Sequence, residues 1–150
     1  MNTELARAIV AEQIESAVAL GVFHDGFEIV KREYPLLIVR AKSVKRDLEF
    51  YLRFDLTGYD AVPVQVRLVN ADGLEIFDPF PQRADGGQWA NHGPANLPRF
   101  FCMSGTRDYY THQSHLPQMT GVSWETHRKD LPFQRLLQEF SRRFASGEMY

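Results

Sequence analysis

The alternation of apolar and polar positions divides the chain into a helical start, a run of strands, a long irregular stretch and a helical end. Residues 3–20 carry Leu5, Ile9, Ile14 and Val18 at roughly helical spacing, with Glu4, Arg7, Glu12 and Glu15 between them. This spacing predicts an amphipathic helix with a narrow apolar stripe. Asn2 and Thr3 are its candidate caps and Gly21 its stop. Such a helix suits docking on a sheet, or a place at the domain edge where it meets a partner. Three strands are predicted next. Residues 34–42, with Tyr34, Pro35, Leu36, Leu37, Ile38, Val39 and Arg40, form a largely apolar run. Residues 48–56 alternate: Leu48, Phe50, Leu52, Phe54 and Leu56 share one face, and Glu49, Tyr51, Arg53 and Asp55 the other. Residues 62–69 repeat the period with Val62, Val64, Val66 and Leu68. The short links Lys45-Arg46-Asp47 and Thr57-Gly58-Tyr59-Asp60 fit an antiparallel meander.

From about Asn70 to Lys129 the periodicity stops. Asp78-Pro79, Phe80-Pro81, Gly86-Gly87, Gly93-Pro94 and Leu97-Pro98 predict irregular backbone, and a stretch of this length is often functional. A final helix is predicted from about Leu131 to Phe144, with Asp130 as cap and Pro132 in its first turn. Phe133, Leu136, Leu137, Phe140 and Phe144 make its core stripe; Arg135, Glu139, Arg142 and Arg143 face water. Helix, meander, irregular segment and helix together imply an α+β layer fold over residues 1–150, without internal repeats. Composition leaves this picture intact. The length of 150 residues suits one domain, and a net charge of −2 argues against broad nucleic-acid binding. No apolar run approaches the roughly 20 residues that span a bilayer, and Met1-Asn2-Thr3-Glu4 does not open a signal peptide. The expectation is a cytoplasmic protein with no membrane partner and its single cysteine, Cys102, reduced.

Two stretches carry a family resemblance. Phe50-Tyr51-Leu52-Arg53-Phe54-Asp55-Leu56, Gly58-Tyr59-Asp60 and Val62-Pro63-Val64-Gln65-Val66 resemble the middle of a ubiquitin-conjugating domain, with its amphipathic strand, Tyr-Pro turn and Pro-Pro-x-Val strand. His92-Gly93-Pro94-Ala95-Asn96, followed by Phe101-Cys102-Met103, resembles that family's His-Pro-Asn motif and downstream cysteine. The likeness covers about residues 3–144 in outline, and its sharp motifs lie at 50–66 and 92–103. Asp60 stands where the family has proline, Pro63 where it has a pair, Gly93 splits His92 from Pro94, and Asn96 lies closer to Cys102 than is usual. The chain is thus similar to divergent, bacterial-type members encoded beside ubiquitin-like modifiers and activating enzymes in antiphage defence operons.

The resemblance implies that Cys102 accepts a ubiquitin-like protein as a thioester from an adenylating activating enzyme, then passes it to an amine of a protein target. It also implies that the N-terminal helix helps to dock the activating enzyme. A thiolate suits such a relay as nucleophile and as leaving group. Asn96 becomes the candidate oxyanion donor or brace of the active-site loop. His112 and His115, in Thr111-His112-Gln113-Ser114-His115, are candidate general bases if their segment folds back over the cysteine, with Asp108, Tyr109 and Tyr110 to orient them. Two other readings stay open: a non-catalytic module of the same fold that binds a ubiquitin-like protein, and a metal-binding domain using Cys102, His112 and His115 with His92 or His127. No phosphate-cradling glycine loop or Gly-x-Ser-x-Gly elbow occurs, so no cofactor is implied.

Overall fold

The computed structural model describes residues 2–87, 89, 99–112 and 121–150. Within them the chain is an α+β fold. Helix α1 (Thr3–Ala19) is followed by strands β1 (Phe27–Glu33), β2 (Leu36–Lys42), β3 (Glu49–Asp55) and β4 (Gln65–Val69), then by short helices α2 (Arg107–Thr111) and α3 (Trp124–His127) and the C-terminal helix α4 (Phe133–Ser146). The strands form a four-stranded antiparallel meander in the order β1-β2-β3-β4. No described helix is long and apolar enough to cross a membrane.

The alternation in residues 48–56 is realised as expected: Phe50, Leu52, Phe54 and Leu56 are buried, with Glu49, Tyr51, Arg53 and Asp55 turned away. Leu37, Val39 and Ala41 of β2 and Val66 and Leu68 of β4 share the buried face. On it lies α4, whose stripe Phe133, Leu136, Leu137, Phe140 and Phe144 is buried throughout. The ring of Phe54 meets Phe133 and Phe140 edge-on, with centroids 5.6 and 5.5 Å apart, an arrangement that aromatic quadrupoles favour. Gly147, at φ 78°, ends α4 in the left-handed conformation that suits glycine.

Four expectations are corrected. The sheet has a fourth strand, β1, which the periodicity does not reveal. Its register slips between Ile29 and Lys31, and the exposed, charged run Lys31-Arg32-Glu33 follows; a bulged edge strand loses the period-two signature. The buried face of α1 is Ala6, Val10, Ile14 and Ala17, while Leu5 and Val18 are 54% and 48% exposed. Ile14 is thus buried as expected, and it shares its face with Val10 and two alanines rather than with Leu5 and Val18. The last predicted strand starts at Gln65, which leaves Val62 exposed outside it. The caps of α1 are as expected, with the Asn2 side chain accepting from Glu4 N–H at 2.8 Å and Gly21 at φ 72° after Leu20.

Asp130 does not cap α4. The N-cap is Pro132, which has no side-chain hydrogen bond to offer. The acceptors come from far along the chain: the Tyr59 hydroxyl takes Phe133 N–H at 2.9 Å, and Gln13 Oε1 of α1 takes Gln134 N–H at 3.3 Å. Burial of Tyr59 pushes its phenol up to about 12. Tyr59→Phe keeps the ring and orphans a buried N–H, a loss of about 1–3 kcal/mol. Urea unfolding is expected to move to lower midpoint with unchanged slope; an unchanged midpoint would discount this tether.

Candidate functional site

Cys102 is carried on a turn fixed from both sides. Phe101 and Met103 are buried, at 1% and 6% exposure, while Cys102 between them is half-buried. Met103 N–H donates to Phe101 C=O at 3.0 Å, a three-residue turn with Cys102 at its apex. Thr106 N–H then donates to Met103 C=O at 3.1 Å. The Thr106 hydroxyl, fully buried, points at the carbonyls of Met103 at 2.7 Å and Phe101 at 3.2 Å. Thr106 also bridges Val64 beside β4, and Arg107 N–H donates to Val64 C=O at 2.7 Å. The ring of Phe101 stands edge-on to Phe140 of α4, 5.3 Å between centroids, and packs against Phe80 and Trp89. Phe80 and Trp89 thus join the core.

The thiol faces a half-open groove of about 350 Å³, lined by Cys102, Ser104 and Tyr109 on one side and by Arg135, Glu139 and Arg143 of α4 on the other. Burial pushes the Cys102 thiol above its usual range; the Arg83 charge opposes this and the Asp108 charge adds to it. Asp108 is itself buried and ion-paired with Arg67 of β4, which also reaches Glu75 at 3.2 Å. Across the groove, Glu139 is held at about 2, first by its hydrogen bond to Arg142 and then by Arg143, against the desolvation that opposes them.

Of the sequence candidates, Asn96 and His115 lie outside the described residues, as do His92 and Pro94. His112 ends α2: its N–H donates to Asp108 C=O at 3.0 Å, and its ring packs on Phe100, 5.2 Å between centroids. It is not among the described residues that line the groove. Tyr110 turns to His127 rather than to His112, with its hydroxyl 2.8 Å from His127 Nδ1. Among the described residues no group of three His, Cys, Asp or Glu side chains could hold a metal ion. The groove's acidic and basic wall was not anticipated from sequence, since Glu139 and Arg143 read there only as the wet face of a core helix. Compared with known proteins, the chain matches no family model and no curated protein.

The depressed carboxyl of Glu139 has a stability consequence of definite sign. Its contribution is present above about 4.5, the ordinary carboxyl value, and is lost as pH falls towards about 2. Glu139→Gln should therefore lower the melting temperature at pH 7 and have progressively less effect as pH falls below 4. Solvent screening keeps the effect small. Melts giving the same difference at pH 7 and pH 2.5 would contradict the assignment.

Proposed function

We propose that the protein is a ubiquitin-conjugating-like enzyme that carries a ubiquitin-like protein as a thioester on Cys102. The observation that carries this reading is the presentation of Cys102: a half-buried thiol at the apex of a turn between two buried side chains, on the wall of a groove, in the segment between the antiparallel meander and the C-terminal helix. The order of N-terminal helix, antiparallel meander, cysteine segment and C-terminal helix agrees with the order that the family resemblance implies. In the loading step the Cys102 sulfur forms a bond to the modifier's C-terminal carbonyl carbon. The activating enzyme's cysteine sulfur leaves and takes up the proton that Cys102 gives off. In the transfer step an acceptor amine forms the amide bond, and the Cys102 sulfur leaves and is reprotonated.

A thiol raised by burial is compatible with this exchange. A more basic thiolate is intrinsically more nucleophilic, which offsets part of the loss in thiolate fraction that burial causes at neutral pH. The same burial favours a second reading, a non-catalytic module of this fold with a quiet thiol. Reconstitution with a cognate activating enzyme, ubiquitin-like protein, target and ATP separates the two. Cys102→Ala should abolish conjugates with far-UV circular dichroism and melting temperature retained, and Cys102→Ser should stop at an oxyester that resists thiols. Conjugates formed at the normal rate by Cys102→Ala would sink the conjugating role.

A further inference from the structure

We propose that Tyr110 and His127 are positioning residues that hold the Cys102 turn in register with its groove, an inference that rests on Cys102 being the reacting group. The anchor runs through the turn's own backbone. Gly105 has φ 97°, a conformation open to glycine, and its N–H points inward to the Tyr110 hydroxyl at 3.0 Å. That hydroxyl has one proton. With Gly105 N–H donating to its oxygen, the hydroxyl can give its proton to His127 Nδ1 at 2.8 Å, the arrangement that the proposal takes. The chain Gly105, Tyr110, His127 ties the cysteine turn on one side of α2 to α3 on the other.

Both ends of this chain are held. Tyr110 is buried, 8% exposed, and packs against Trp124 of α3 with ring centroids 5.7 Å apart. Trp124 Nε1–H donates to Asp60 C=O at 2.8 Å, and Ser123 and Thr126 close a reciprocal capping box around the same short helix. Helix α3 is thereby fixed to the turn between β3 and β4, independently of the cysteine segment. The Thr106 hydroxyl ties the Cys102 turn to itself, whereas Tyr110 ties it to an external support. Without that support Gly105 N–H has no acceptor at the same place, and the Ser104-Gly105 corner is free to turn. Because the corner also lines the groove through Ser104, its movement changes the position of the thiol relative to the opposite wall.

The test is the rate at which iodoacetamide alkylates Cys102 in the native protein, compared across Tyr110→Phe, His127→Leu and His127→Gln. Glutamine keeps an acceptor for the Tyr110 hydroxyl, and leucine removes it. Tyr110→Phe and His127→Leu are expected to change the alkylation rate about fivefold, the scale of one lost hydrogen bond, while His127→Gln restores it to near wild type. Folding is monitored by melting temperature in each case. In thioester loading from a charged activating enzyme, the first two variants should lower the maximal rate and leave the half-saturating concentration unchanged. Alkylation and loading at wild-type rates in both Tyr110→Phe and His127→Leu would overturn the proposal. So would failure of His127→Gln to restore either rate. Alkylation requires no conjugation partner, so a wild-type protein that never loads a modifier tells against the conjugating role, and unchanged alkylation in the variants tells against the positioning role.

Discussion

The edge-on contact of Phe140 with Phe54 on one side and Phe101 on the other joins the sheet to the cysteine segment. Phe54 is fixed by the strictest period in the chain, and Phe140 by the apolar stripe of α4. Phe101 is the residue immediately before Cys102, so the ring pair transmits the geometry of the core to the thiol with no flexible link. The other anchors depend on this one. The Thr106 hydroxyl and Met103 N–H close the turn on the carbonyls of Phe101 and Met103. The groove exists because α4, seated by Phe140, presents Arg135, Glu139 and Arg143 opposite that turn.

The parts of the fold legible in the sequence are those in which one periodicity dominates. Strand β3 alternates without interruption, and α4 has bulky apolar residues at every inward position, so face and extent both follow. Strand β1 was not legible because its bulge breaks the alternation after Ile29 and its outer half is charged. The face of α1 was legible only in part: Ile14 is buried as expected, but alanine is compatible with either face, so Leu5 and Val18 drew the stripe aside from Ala6, Val10 and Ala17. At the N-terminus of α4 a local rule pointed to Asp130, and a hydroxyl from Tyr59 took the place instead. Tertiary partners of this kind leave no trace in local spacing.

The site divides in the same way. Cys102 was legible as the single cysteine, set between large apolar residues that burial turns into anchors. The Tyr110–His127 pair was not, because nothing in the separation of the two residues marks them as neighbours; their meeting follows from Trp124 packing beneath Tyr110. The electrostatic setting of the thiol was equally invisible. Asp108, placed by Arg67 across from β4, adds its negative charge to the burial that raises Cys102. The result is a thiol that holds its proton more tightly than a solvated cysteine does.

The most direct measurement is the intact mass of the protein after brief incubation with a cognate activating enzyme, its ubiquitin-like protein and ATP, with no acceptor present. One added modifier mass is expected, mapped to Cys102 and removed by reductant. A charged activating enzyme that leaves the mass of this protein unchanged, or an adduct at any residue other than Cys102, would contradict it.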